Sequence, residues 1–272
     1  MEALWLHAYV RWMADRRGRH LINFLVNSPE GTYFLESVDA SVEVQYAFML
    51  DLLEKNIEEI GKDIVVQVII DNGANYKAAG RILMDRIPTL FWSSCAVHCL
   101  DLMLEDMGKL HPFQKIIGRA RRVTTFIYRH GRILSLMREK IGGADLVRPV
   151  ATRFATSFLT LKSLHKHKDS LKALVLSEEW IGNKLAKTAA DAEVHDTVLS
   201  VEFWNAVEDC FRASAPLRIV LRVVDGDEKP VMPDVTTLMN HAKEKIKLSF
   251  IVDNKKVLLK KIMEIIEKCW MK

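Results

Sequence analysis

The apolar run VVQVII at residues 65–70 ends on Asp71 and Asn72, with Gly73 directly behind. Such a run reads as a buried strand, and side chains at strand ends in open α/β sheets converge on the crevice where ligands bind. Two roles suit a carboxylate there. Asp71 or Asn72 can cap a helix beginning near Ala74 by accepting hydrogen bonds from its first amides. Alternatively, Asp71 is a metal ligand. Phosphodiester chemistry asks for more than one acid, because two cations about 3.5–4 Å apart must be clamped by several carboxylates.

A second constellation is CAVHC, which brings Cys95, His98 and Cys99 together within one helical turn. A structural zinc site takes four ligands, usually as two separated pairs. No second pair is evident, since Cys210 and Cys269 stand isolated in apolar stretches. As a nucleophile and base, Cys95 and His98 lack a recognisable orienting partner. The expectation is a packed cysteine and a histidine that hydrogen-bonds near the strand tip. No phosphate-cradling glycine loop or dinucleotide fingerprint occurs.

The third feature is charge. The whole chain carries 39 Lys/Arg against 35 Asp/Glu, a net charge of +4. Between Lys109 and Lys172, however, 15 Lys/Arg meet only three acids, Glu139, Asp145 and Asp169. Such regional asymmetry is the footprint of a polyanion-facing surface or of a solvated helical face. Arg119, Arg121, Arg122, Arg129, Arg132 and Arg138 alternate with Ile116, Ile117, Val123, Ile127, Leu134 and Met137. On a helix this separates a core face from a basic one. Arg148 and Arg153 extend the positive character. The planar fork of arginine suits phosphate, and such contacts position a backbone without reading bases.

These groups need elements to hold them. Residues 21–28 and 32–40 read as strands joined by a turn at Pro29–Gly31. A helix capped by Ser41 and ended by Gly61 follows. Then come a strand over 64–70, a helix over about 74–84 and a strand after Pro88. The pattern predicts α/β architecture, a mixed sheet with helices packed on it. Residues 111–272 read as almost wholly helical, with a break at Arg129–Gly131 and two closing helices at roughly 234–248 and 254–270. The polar, alanine-rich stretch 185–196 is expected to be a mobile connector. At 272 residues and 49% hydrophobic composition, the chain can bury one large core or a core plus an insertion. The scattered cysteines imply reduced thiols. The amino terminus is a poor signal peptide, and no apolar run reaches the ~18 residues of a membrane span. A soluble cytosolic or nuclear protein is expected.

The stretches DRRGRHLINFLVNSPEGTYFLESVDAS, VVQVIIDNGANYKAAGRILM, LFWSSCAVHCLDLMLEDMGKL and LVRPVATRFATSFLTLKSL resemble plant hAT-type transposase-like proteins. In particular they are similar to the domain of unknown function at the front of that transposase core. FWNAVEDC, VLRVVDGDEKPVM and IMEIIEKCW continue the resemblance. It implies a ribonuclease-H-like fold, a mixed five-stranded sheet interrupted by a long helical insertion, and a nuclear, DNA-directed ancestry. It also implies a metal-binding triad of two aspartates and a glutamate, followed by a C-x-x-H motif. Asp71 falls on the second aspartate, and Cys95 and His98 on the C-x-x-H pair. The first-aspartate position, on the first strand, falls on Arg11.

The departures set the functional expectation. Asp15 belongs to the flanking motif, and Glu2 is the only earlier acid. Glu202, Glu228, Glu264 and Glu267 sit in no motif that matches the triad glutamate. The amino-terminal zinc finger and carboxy-terminal dimerisation region of full-length relatives are expected to be absent. A guanidinium at Arg11 stays charged at physiological pH and would pair with Asp71 and repel a divalent cation. The chain is therefore expected to comprise a ribonuclease-H-like core over 1–110 and a helical insertion region over 111–272. It is expected to be a degenerate transposase without catalysis, its ancestral Mg²⁺/Mn²⁺ site lost and no cofactor or metal bound. It would act in the nucleus through DNA backbone contacts in 115–153 (Arg119, Arg121, Arg122, Arg148, Arg153) or through transposase-like protein partners. It should contact no membrane or small-molecule substrate. Two alternatives remain: a metal-dependent strand-transfer or nuclease enzyme completed from elsewhere, and a gene fragment without function.

Overall fold

A computed structural model describes residues 6–14, 19–28, 30–41, 46–148, 155–182, 188–226, 232–251 and 255–270. Contacts group the chain into two compact units, Met1–Cys99 and Leu100–Met271.

The first unit is built on a five-stranded sheet in the order β3-β2-β1-β4-β5. Its strands are β1 (Leu6–Ala14), β2 (His20–Ser28), β3 (Gly31–Asp39), β4 (Val65–Ile70) and β5 (Phe91–Ser94). β1 pairs antiparallel with β2 and parallel with β4, β2 pairs antiparallel with β3, and β4 pairs parallel with β5. The sheet is therefore mixed. In β2 the sequence alternates cleanly, with Ile22, Phe24, Val26 and Ser28 buried and the residues between them half-buried. β4 lies between two strands and buries Val65, Val68, Ile69 and Ile70, as expected of a strand covered on both faces.

Two helices supply most of the remaining core. α1 (Tyr46–Ile60) buries Met49, Leu50, Leu53 and Ile57 at helical spacing, and α2 (Ala74–Arg86) buries Ala79, Gly80 and Leu83. Gly61 ends α1 with a positive φ of 116° that residues with a Cβ adopt only with strain. Gly80 lets the Trp92 indole lie directly on α2, since a Cβ there would sit 2.5 Å from the ring. Asn56, 4% exposed, is accommodated because its amide donates to Glu36 Oε1 and to the Leu52 carbonyl, both at 2.9 Å.

β1 was visible only through the family resemblance, and the other strands fall where their residue patterns place them. Ser41, the expected cap of the first helix, bonds back to Asp39; residues 42–45, which the expected helix included, lie outside the described residues.

α3 (Ala96–Lys109) contains the division between the units. The second unit continues with α4 (His111–Arg129), α5 (Gly131–Lys140), α6 (Ala155–Lys166), α7 (Lys168–Val175), α8 (Glu178–Ile181), α9 (Ala189–Leu199), α10 (Val201–Val224), α11 (Met232–Ile251) and α12 (Lys256–Trp270). Its core is aromatic and aliphatic, with Phe113, Phe158, Phe203, Trp204 and Phe250 at most 1% exposed. The break at residues 129–131 occurs at His130, whose backbone turns extended (φ −117°, ψ 96°) between α4 and α5.

One expectation is overturned. The stretch 185–196, read as a mobile connector, contributes most of a helix: α9 begins at Ala189, and only residues 183–187 lie outside the described residues. Thr188 Oγ1 accepts the Asp191 amide at 3.2 Å, which satisfies a first-turn donor. Val194, Thr197 and Val198 bury one face. Alanine's high helix propensity and this apolar face outweigh the polar composition that suggested a loop.

Candidate functional site

Asp71 leaves β4 at the tip of the sheet. The Cys95 amide donates to the Ile70 carbonyl at 2.9 Å, prolonging the β4–β5 pairing to the residue before α3. On the other side, Val10 of β1 stands opposite Ile70 in parallel register. Arg11 follows Val10 within β1, and Asp71 is the first residue beyond the end of β4. The Arg11 side chain lies outside what the structure describes, as do Glu2, Asp15 and Glu228.

The helix-cap role does not fall to Asp71 or Asn72, because the N-cap of α2 is Gly73 (φ −68°, ψ 151°). Asn72 instead ties neighbouring segments together. Its Oδ1 accepts from Ser94 Oγ at 3.3 Å, and its Nδ2 donates to Cys99 Sγ at 3.8 Å. A second crosslink lies further down the same strands, where Gln67 Nε2 donates to Ser93 Oγ at 2.7 Å. These polar links fix the end of β4 against β5 and the first turn of α3.

The Asp71 side chain is 15% exposed, and its Oδ1 lies 4.0 Å from Nδ1 of His98, which is 38% exposed. That separation is beyond a direct hydrogen bond but close enough for electrostatic interaction. Tyr76 crosses back over the Gly73 backbone, where a Cβ would approach its ring to 2.9 Å. Burial, and secondarily the Asp71 charge, push its phenol up to about 12. Cys95 is half-buried and Cys99 is buried. The Cys99 amide donates to the Cys95 carbonyl at 3.0 Å, closing the first turn of α3. The fold thus brings Asp71 and His98 together and sets Cys95 on the backbone beside Ile70. Ser94 and Tyr76 were not singled out from sequence; the only available signal was their proximity to strand ends.

Chemically, this tip can accept and donate hydrogen bonds and hold one carboxylate charge. A two-cation centre of the kind the family resemblance implies needs several anionic oxygens around a shared point. Among the described residues no group of three or more His, Cys, Asp or Glu is arranged to hold a metal ion. The described donor set does not fit such a centre.

The basic residues of the second unit divide by what they touch. Arg119 turns inward, with Nε donating to Thr197 Oγ1 at 3.2 Å and its guanidinium 5.3 Å from the Phe203 ring centre. Arg122 Nε pairs with Glu193 Oε1 at 2.6 Å. Arg138 grips Asp145 through two bonds of 2.8 and 3.2 Å, and this guanidinium is the first cause holding the exposed Asp145 carboxyl below its ordinary range. Arg148 is exposed and lies 4.8 Å over the Tyr128 ring. Arg121 is exposed, and among the described residues it has no charged partner. Arg153 lies outside the described residues. The helix face that sequence reads as one basic stripe is therefore part structural and part open.

A family model described as a domain of unknown function, DUF659, matches residues 9–123. That domain is found in hAT-like, transposase-related proteins. The matched segment runs from β1 through most of α4 and so contains Asp71, Cys95, His98 and Arg119–Arg122. No curated protein matches the chain. Among the described residues no helix is long and apolar enough to cross a membrane.

Proposed function

We propose that the chain is a transposase-derived, ribonuclease-H-like domain that has lost metal-dependent catalysis and acts in the nucleus by contacting a DNA backbone. The observation that carries this reading is the β1–β4 register, whose last pair, Val10 and Ile70, is followed by Arg11 on one strand, where the family pattern calls for an acid, and by Asp71 after the other. A fixed cation there would neutralise the carboxylate and oppose a divalent ion. The strand order, with its antiparallel β3-β2-β1 half and parallel β1-β4-β5 half, supports the ribonuclease-H-like assignment. Charge distribution supports the partner: residues 1–99 carry 9 Lys/Arg against 13 Asp/Glu, whereas residues 100–272 carry 30 against 22.

In this reading the tip around Asp71, Cys95 and His98 is an inherited framework maintained by the Asn72 links, and neither cofactor nor metal takes part. The test is a nicking assay on supercoiled DNA with Mg²⁺ or Mn²⁺. The purified chain is expected to leave the plasmid intact while retarding it in a gel. Metal-dependent nicking abolished by Asp71→Ala would overturn the proposal.

A further inference from the structure

The short segment after α5 is pinned between two helices and carries an arginine at its end. Gly142 and Gly143, with φ of 73° and 81°, turn the chain out of α5, and the Gly143 amide donates back to the Arg138 carbonyl at 2.7 Å. Leu146 is then buried, 3% exposed. Tyr128, near the end of α4, donates its hydroxyl to the Leu146 carbonyl at 2.9 Å. The Val147 amide donates to Ser163 Oγ of α6 at 3.1 Å. Arg148 follows at once, its guanidinium over the Tyr128 ring.

These anchors join three elements, each of which carries positive charge next to its anchoring residue in sequence. Arg129 follows Tyr128 at the end of α4, Lys162 precedes Ser163, and Lys166 lies one turn beyond Lys162 on α6. Arg129, Arg148, Lys162 and Lys166 are all exposed. Among the described residues Arg129, Lys162 and Lys166 have no acidic partner. The acid nearest Arg148 in sequence, Asp145, is already held by two of the nitrogens of Arg138. By contrast, Arg119 and Arg122 are committed to Thr197, Phe203 and Glu193.

We infer that the DNA-backbone contact of this chain is the seam formed by Arg129, Arg148, Lys162 and Lys166, and that Arg119 and Arg122 hold α4 to its neighbours. The inference rests on the nucleic-acid reading above and locates its surface. A guanidinium stacked on an aromatic ring keeps its hydrogen-bonding edge free, so Arg148 offers a pre-oriented fork to a phosphate. The flanking lysines add point charges at one-turn spacing. None of these groups is built to read base edges, so binding is insensitive to sequence and sensitive to salt.

The experiment measures fluorescence anisotropy of a labelled random-sequence duplex with the full chain over a range of KCl concentrations. The Arg148→Gln/Lys162→Gln/Lys166→Gln variant is expected to lower the slope of log K against log salt by about 0.9 for each phosphate contact removed. Arg119→Gln/Arg122→Gln is expected to keep the wild-type slope while lowering the melting temperature. A wild-type slope in the folded triple variant, or a slope lost with Arg119 and Arg122, overturns the inference. Failure of the wild-type chain to bind duplex overturns the nucleic-acid reading itself. Should the triple variant fold poorly by circular dichroism, the double variant Lys162→Gln/Lys166→Gln decides on the same criterion, since both side chains are exposed on a helix.

Discussion

At Asp71, burial and charge act on the neighbouring groups together. The carboxylate is largely covered and the Tyr76 phenol beside it is half-buried, so ionising the phenol would place a second anion in a poorly solvated space. Folding therefore raises the Tyr76 pKa from 10.0 to about 12. As pH rises past about 10, the unfolded chain loses this proton first, so it binds fewer protons than the folded chain. Stability then falls with pH between about 10 and 12. Tyrosinate absorbance should show Tyr76→Phe removing a late-titrating step, and Asp71→Asn moving that step to lower pH. Loss of a step near pH 10 in Tyr76→Phe would contradict the burial argument. From sequence, Asp71 stood out because an acid ended an apolar run. Tyr76 did not, because its importance comes from folding back over Gly73, a contact that no spacing rule announces.

The elements that hold the site were legible in unequal measure. β2 and α1 repeat their apolar residues at the spacing of a strand or helix, β4 is an apolar run, and the His130 break was marked by Arg129-His130-Gly131. β1 carries a shorter alternation, with Ala8 and Val10 buried, and its register on β4 is a non-local fact that sequence periodicity does not contain. α9 misled because its polar, alanine-rich residues resemble a linker; its cap is local, from Thr188 to Asp191, but the buried face that fixes it as a helix depends on α9 meeting its neighbours. Thr188→Ala tests this account: losing the cap should cost about 1 kcal/mol of unfolding free energy, measured by urea denaturation. An unchanged midpoint would mean that α9 is held by packing alone. The arginines of α4 show the same limit. Alternation with apolar residues predicted their outward face, but the pairing of Arg119 with Thr197 and Phe203 joins residues far apart in the chain.

For the whole molecule, charge is divided unequally: the unit with the mixed sheet has an acidic balance and the helical unit a basic one. In the proposed account, the first unit would keep the framework of a phosphodiester-processing centre, and the second the charge that attracts a polyanion. In that account only the second still acts, and the reason is electrostatic: the strand beside Asp71 offers Arg11 where a second anionic ligand would be required. Calorimetric titration of the purified chain with Mn²⁺ and Mg²⁺ tests this most directly. The account predicts no saturable heat of binding in the wild-type chain and an unchanged trace in Asp71→Ala. Stoichiometric, saturable binding that vanishes in Asp71→Ala would contradict it.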